Sequence, residues 1–476
     1  MLILRASFKQ GLAMDLTDTF ISHFESLEDP REDNHKVRHK FHDILVITIL
    51  GTICGADGWT EICEFAEAKI DWLETFLELP NGIPSHDTFG RIFSLLDPET
   101  FEACFLGWIE SLSIDVKNEI IAIDGKSLRG SHDKKKQVKM LHMVSAWASD
   151  NRILLGQVRT AEKSNEITAI PELLDMINVE GSIVTIDAMG CQQEIAKKIV
   201  DKGADYVLSL KDNQPSLCQD VAAIFEQAEQ CQYKNMIHKQ RVEKVDCHGR
   251  AETRRYTIIA PREQESFGAR WPHLNRIGMV EVSRRTANNE TEYSRRFFLT
   301  SLDDSYDLFL MSELPEGTMP EVGKIYVEPK GKQLRYILQT PNGEKMDSVL
   351  DIKIAEFNRK TLAESKLRIL AETNKRGHTL WDQDINKFMK AVRSHWNIEI
   401  NLHWSLDVSF KEDLSRVRIG HAAENLGIIR RVALNLLKQE KTSKVGITAR
   451  RKRAGWDNKY LLKVLMADSH LAKPKD

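Results

Sequence analysis

The sequence predicts an α/β protein whose core of alternating strands and helices is split by a β-rich insertion and preceded by a helical amino-terminal domain. Three observations predict it. Residues 15 to 110 repeat apolar positions at helical spacing, with turn signals between the repeats. Residues 119 to 215 alternate short β-branched runs with amphipathic helical stretches, and from Val242 to Leu302 strand follows strand with no helix between.

In the helical region Asp18–Glu25 starts at an Asp cap and Asp29-Pro30 breaks the pattern. The chain then runs from a basic amphipathic start at His35 into Ile44–Ala56, an apolar stretch read as a buried helix. Ile62, Phe65, Ile70, Leu73, Phe76 and Leu77 give the next stripe; Ser85 or Asp87 caps the following helix, and Pro98 starts another. At Glu119 the period changes. Glu119–Asp124 is a short strand ending in an acid, and two more strands joined by a turn at Ser149–Asn151 make a hairpin. Glu166–Met176 is a helix with Pro171 inside it. Residues 182–187 form a second strand ending in an acid, and a helix over 191–204 leads to the strand Asp205–Leu210. Gln214–Lys239 is mostly helical, and residues 252–260, 276–286 and 291–302 read as antiparallel strands added to the sheet. Residues 303–372, rich in Pro and Gly, predict a small inserted β module followed by a helix from residue 354. From Asp384 a helical pattern runs to Phe410, a second covers Gly420–Lys438, and a basic tail follows.

Composition narrows the function classes. The longest apolar run, Ile44–Ala56, has 13 residues, short of the ~20 that cross a bilayer, and MLILRASFKQ has no basic region ahead of its apolar residues as a secretory signal would. A membrane protein is therefore not expected. The seven cysteines form no CxxC pair, which fits a reduced, cytoplasmic protein without a structural zinc knuckle. The formal charge of −3 hides segregation: Leu414–Trp456 carries eleven Lys or Arg against two acids, a net of +9 in 43 residues, suited to a polyanion.

Asp124 in IAIDGKSLRGS and Asp187 in IVTIDAMG share one grammar: β-formers, an acid, then a small residue. Such an acid is also a common turn or helix cap. Two carboxylates at the ends of neighbouring buried strands repel one another unless cations sit between them, so a divalent metal pair resolves both charge and burial. A third acid is expected in Arg393–Asp413. There His395, Glu399, His403 and Asp407 recur every four residues as one polar stripe, beside Trp396, Ile400 and Trp404 on a stripe suited to packing. Glu399 is the candidate ligand, with Asp407, Glu412 and Asp413 as rivals. A zinc site from His395, Glu399 and His403 lacks the HExxH spacing, and three helical turns spread ligands over ~12 Å against bonds of ~2 Å. Around these acids lie groups suited to phosphates: Lys126, Arg129, Lys134, Lys135, Lys136 and Lys139, then Lys211, Asn213 and Gln214, and the run His248-Gly249-Arg250 with Glu252 and Arg254, whose two arginines suit a nucleic-acid backbone.

The ordered set IAIDGKSLRGS, TIDAMGCQQEIAKKI, LSLKDNQP, HGRAETRR, HWNIEINLHWSLDVSFKEDLSRVRIGHAAENLGIIRRVALNLLK and KRAGWDNKYLLKVL resembles the ISAs1-type, or H-repeat-associated, transposases. HKVRHKFHDILVITILGTICGADGWTEICEFA and LPNGIPSHDTFGRIFSLLDP resemble that family's helical amino-terminal region, so the resemblance runs from about residue 10 to 470. It implies an Asp-Asp-Glu triad on a ribonuclease-H-like fold, with the triad falling on Asp124, Asp187 and Glu399. It also implies two Mg²⁺ ions for which Mn²⁺ substitutes, cleavage and strand transfer at insertion-sequence ends, double-stranded DNA carrying terminal inverted repeats as the partner, and a homo-oligomer assembled on that DNA in the cytoplasm, at the nucleoid. Related insertion-sequence transposases carry Tyr, Arg and Lys around the Glu of the last helix. Val392, His395 and Leu406 stand there instead, which makes His395 and His403 candidate phosphate contacts alongside Arg416, Arg418, Arg451, Lys452 and Arg453.

The resulting division is a helical domain at 1–115 with a role in DNA binding, the first part of the ribonuclease-H-like core at 116–215, an antiparallel insertion at 216–302, a further module at 303–383, the helix bearing Glu399 with the end of the core at 384–440, and a basic tail at 441–476. The module at 303–372 departs from the family, in which the strand resembling FFLTSL leads within a short distance to the helix resembling INKFMKAVRSHWNIE. Added length there costs little, roughly 0.6 kcal/mol per doubling of a loop. Competing expectations are a metal nuclease without strand transfer, a DNA-binding remnant without catalysis, and a scaffold whose polar runs are ordinary surface.

Overall fold

The computed structural model describes residues 20–32, 37–133, 139–160, 166–234, 236, 238–247, 250–261, 271–285, 291–303, 307–310, 324–330, 333–339, 345–350 and 383–466. The chain divides into two compact units, residues 1–204 with 393–476, and residues 205–392.

The first unit begins with a 3₁₀ turn at Phe20–Phe24 and the helices α1 (Phe41–Ile53), α2 (Trp59–Ala68), α3 (Ile70–Leu73), α4 (His86–Leu95) and α5 (Pro98–Ser111). The apolar run falls on α1, buried along its length except at His42, so it is apolar on every side because every side is covered. Ser85 caps α4, its hydroxyl accepting from the Thr88 N–H. Asp97 caps α5 by accepting from Thr100, with Pro98 at the first helical position.

Four strands follow: β1 (Ile120–Leu128), β2 (Leu141–Ala148), β3 (Ile153–Arg159) and β4 (Ile183–Ile186). Their order is β3-β2-β1-β4, antiparallel among the first three, with β4 parallel to β1. This is the arrangement expected of a ribonuclease-H-like core. Pairing with β4 ends at Ile123↔Ile186, while β1 continues against β2 from Asp124↔Ser145 to Leu128↔Leu141. The strand expected to stop at Asp124 therefore runs on, and the acid sits inside it, at the point where one neighbour leaves. Helices α6 (Glu166–Met176) and α7 (Gln193–Asp201) flank β4 in sequence. Gly156 on β3 lets Leu106 of α5 and Leu173 of α6 approach the strand, since a Cβ there would press on both.

The second unit holds β5 (Asp205–Leu210), α8 (Pro215–Gln230), β6 (His238–Cys247), β7 (Arg250–Ile259), β8 (Arg276–Arg285) and β9 (Thr291–Thr300), with its strands in the order β5-β9-β8-β7-β6, all antiparallel. The expected strands form, and β6 joins them from a stretch whose start the sequence assigns to helix. The inserted module is a four-stranded sheet, β10 (Asp307–Leu310), β11 (Lys324–Lys330), β12 (Gln333–Gln339) and β13 (Lys345–Leu350), in that order. The helix expected from residue 354 lies outside the described residues.

Helix α9 (Gln383–His395) returns the chain to the first unit. It is followed by a π-helical turn at Glu399–His403, α10 (Trp404–Ser409), a 3₁₀ turn at Glu412–Leu414 and α11 (Ala422–Gln439). Asn435 on α11 pairs its side-chain amide with both backbone groups of Leu154 on the edge strand β3, at 2.9 and 3.0 Å, which blunts that edge. The described part of the expected basic tail is folded, as α12 (Ile447–Trp456) and α13 (Asn458–Leu465). Ala454, Tyr460, Leu461, Val464 and Leu465 are buried.

Candidate metal centre

Two parallel neighbours bring the first two acids to adjacent positions. Asp124 and Asp187 each stand one residue beyond the last β1–β4 pair, at the carboxyl side of the parallel strands, where α/β folds place their sites. Asp187 caps a 3₁₀ turn at Ala188–Gly190, its carboxylate accepting from the Met189 N–H at 2.9 Å, and the Asp124 carboxylate accepts from the Gly125 N–H at 2.9 Å.

Glu399 comes from the other end of the chain. The π turn that it opens is closed by His403, whose Nδ1 lies 3.4 Å from a Glu399 oxygen and 3.7 Å from an Asp124 oxygen. Donor atoms of Asp124, Glu399 and His403 all fall within 4.8 Å of one another, and Asp187 stands outside that trio. The segment is held from below by Ile398, Leu402 and Leu406, all fully buried. Trp396, Ile400 and Trp404, expected to pack, are instead 54%, 62% and 58% exposed. His395, at the end of α9, is tied to β4 by a 3.1 Å hydrogen bond between its Nδ1 and the Thr185 hydroxyl.

The acids respond to one another. Burial pushes the Asp124 carboxyl up to about 8, with the charges of Glu399, Glu166 and Asp187 adding to the shift against the Gly125 N–H. Glu399 is held below its usual range, first by its hydrogen bond with His403. The pair thus keeps a proton near neutral pH that a cation between the carboxylates would displace. That unfavourable charge, with three converging donors, fits a divalent ion.

Beside Asp124 lies a chain of hydrogen bonds that the sequence reading missed. The Ser127 hydroxyl meets His142 Nδ1 at 2.9 Å, and His142 Nε2 meets Glu166 at 2.8 Å. Gly125 makes room for it, because a Cβ there would run into the Glu166 carboxylate and lie 2.6 Å from His142. Ser127 and His142 are cross-strand partners, a relation visible only once the β1–β2 register is known. His403 did carry a signal, its four-residue spacing from Glu399.

Other expected residues are placed differently from one another. Lys126 is buried, not on a DNA-facing surface: its ammonium lies 2.7 Å from Asp407, 2.9 Å from Glu412 and 3.4 Å from Asp413, and Glu412 also holds Arg431 at 2.8 Å. The three rival acids are thereby engaged by Lys126. Arg451 is likewise internal, donating to the carbonyls of Thr52 and Ala56 at the end of α1 and to Asp57. Arg430 and Arg431 are buried too, so the +9 of this region overstates its exposed charge. Arg418 is half-buried and donates to the Gly130 carbonyl at 2.9 Å. The Arg129 side chain, Arg416, Lys452 and Arg453 are exposed, the last resting on the Tyr460 ring. Lys211 is exposed after β5 and Arg254 on β7 pairs with Glu252, both in the second unit. Lys134, Lys135, Lys136, His248, Gly249 and the Arg250 side chain lie outside the described residues.

With this geometry in place, the likenesses to known proteins are specific. Residues 116–303 match the family model of the transposase DDE domain, and residues 21–109 match that of the DDE_Tnp_1-associated domain. The "Putative transposase YncI" of Escherichia coli O157:H7 is 33% identical over 456 residues, 95% of this chain and 96% of that one. The "H repeat-associated putative transposase YhhI" of Escherichia coli K12 is 32% identical over 450 residues, 94% of this chain and 97% of that one. A short relative, the "Inactive transposase YbfQ" of the same strain, is 48% identical over 59 residues, 12% of this chain and 70% of that one. Over nearly its whole length, then, this chain belongs to the H-repeat-associated family of DDE transposases.

Proposed function

We propose that this protein cleaves the ends of an insertion sequence and joins them to target DNA, with Asp124, Asp187 and Glu399 as the residues that hold its metal ions. The observation that carries the reading is the meeting of Asp124 and Glu399, far apart in sequence, within one donor cluster beside the strand end that carries Asp187. Two Mg²⁺ ions, or Mn²⁺ in their place, would supply the Lewis acidity that activates water or a terminal 3′-hydroxyl and stabilises the leaving oxygen. The chain's own contribution is position. β1 and β4 fix two carboxylates on a rigid sheet, and the buried Ile398, Leu402 and Leu406 fix the third. No side-chain base is required, so one site serves hydrolysis and strand transfer as the DNA is repositioned.

The substrate in this reading is double-stranded DNA carrying the element's own terminal inverted repeats, engaged in the cytoplasm by a homo-oligomer. Exposed Arg129, Arg416, Lys452 and Arg453 supply phosphate contacts.

The test is incubation of the full chain with duplexes of the sequences flanking its gene, a target plasmid and Mg²⁺. Joined products are expected, and Asp124→Asn should reduce cleavage to background while largely preserving DNA binding. Hydrolysis without joined products would leave a nuclease. Binding without any cleavage would leave an inactive relative, a state named in this family by YbfQ.

A further inference from the structure

We infer that His403 is a direct ligand of the cation held by Asp124 and Glu399, which makes this a mixed nitrogen and oxygen site that favours Mn²⁺ over Mg²⁺ more strongly than carboxylates alone. The inference rests on the carboxylate reading above and adds a residue to it. Its Nδ1 faces both acids, at 3.4 and 3.7 Å, separations comparable with the roughly 3 to 3.5 Å between donors that share one ion at bonds of ~2.1 Å. A histidine serving only as a counter-charge to Glu399 would do so from the solvated rim, where Glu399 itself is half exposed. His403 is instead 4% exposed, and its Nε2 has no hydrogen-bond partner among the described residues.

Leaving a polar atom buried and unpaired costs about 1–3 kcal/mol. Packing holds the ring at that cost with Nδ1 aimed at the carboxylates, an arrangement that a bond from Nδ1 to a cation would offset. Backbone geometry points the same way. Glu399–His403 is a π turn, a distortion that recurs at functional sites, and it carries both side chains to Asp124. Imidazole nitrogen suits first-row transition ions, whereas Mg²⁺ prefers oxygen, so a nitrogen donor shifts selectivity toward Mn²⁺.

Pulsed electron paramagnetic resonance of Mn²⁺ added to the full chain tests this, together with Mn²⁺ and Mg²⁺ titrations of wild type, His403→Gln and Asp124→Asn. Wild type should show the ¹⁴N coupling of a directly bound imidazole. His403→Gln should lose it and bind Mn²⁺ roughly tenfold or more weakly, with a smaller change for Mg²⁺. Mn²⁺ bound by wild type without nitrogen coupling, but lost in Asp124→Asn, would overturn the histidine ligand and leave the carboxylate site standing. Coupling that persists in His403→Gln would likewise overturn it. Absence of Mn²⁺ binding by wild type at millimolar concentration would overturn both readings. The spectrum of the wild-type protein decides the matter even if a variant fails to fold.

Discussion

Glu412 and Glu102 are both buried, yet they respond to pH with opposite sign. Burial alone would raise Glu412, but Arg431 and Lys126 draw its carboxyl down to about 2. Its contribution to stability is therefore present above the unfolded value of about 4.5 and is lost as pH falls toward 2, an effect of ~3 kcal/mol. Among the described residues Glu102 has the Gln157 amide as its hydrogen-bond partner, at 2.9 Å, and burial pushes it up to about 7. A raised carboxyl favours the folded state below about 4.5 and loses that contribution as pH rises through 7. Glu412→Gln should lower stability by ~3–5 kcal/mol at pH 7, because it leaves Lys126 and Arg431 buried beside a neutral group. Glu102→Gln should raise stability by up to ~3 kcal/mol at pH 8 and change little at pH 4.5. Urea unfolding at the three pH values checks both, and a loss of stability in Glu102→Gln at pH 8 would mean a carboxylate that is charged and paired. Side chains such as Lys126 and Arg451 show why charge in the sequence misled: it gives their sign, while their partners come from distant segments that only the fold brings together.

Elements were legible where burial left a strong pattern. Ile120–Ile123 of β1 and Ile183–Ile186 of β4 are buried, mostly β-branched runs, and α1 is nearly all apolar from Ile44 to Ile53. β6, HKQRVEKVDC, was not, because its charged residues mask the alternation and its pairing with β7 is what makes it a strand. The π turn has no sequence signature, so the four-residue spacing of Glu399 and His403 read as one helical stripe without revealing that both reach Asp124. The turn after β1 gives a test at this scale. Gly130 sits against the segment that supplies Glu412 and Asp413; a Cβ there would collide with the Ser415 carbonyl and lie 2.9 Å from that of Asp413. Backbone cannot swing aside as a side-chain tip can. Gly130→Ala should therefore destabilise by ~1–3 kcal/mol. Gly107, inside α5 with no atom of the described residues within 4 Å of an added Cβ, should gain ~0.5–1 kcal/mol as Ala. Melting temperatures of the two variants should move in opposite directions, and a fall in both would show that α5 tolerates no added methyl.

At the scale of the whole chain, the inserted module is the feature whose consequence is most open to measurement. The match to the transposase DDE domain ends at residue 303, and the first strand of the module begins at Asp307. The module carries its own buried residues, Ile325, Val327 and Tyr336, on its own sheet. Its two ends leave and rejoin the second unit at one place: the Arg276 guanidinium lies 3.0 Å from Asp303 and 3.5 Å from Asp384, and Lys239 fixes Asp384 at 2.6 Å. Residues bound to a single guanidinium are close enough for a short flexible linker to join them, about six residues of Gly and Ser. Replacing residues 304–382 in this way leaves the pairing of β5–β9, the ion pair of Arg276 with Asp384 and the packing of Phe388 on Gly278 and Phe298 in place. The shortened chain should keep its far-ultraviolet circular dichroism apart from the lost strands, melt within a few degrees of the full chain, and bind Mn²⁺ with unchanged affinity. Aggregation, or a melting temperature lowered by more than about 10 °C, roughly the effect of 3–5 kcal/mol in a chain of this size, would show instead that the module is part of the second unit's core.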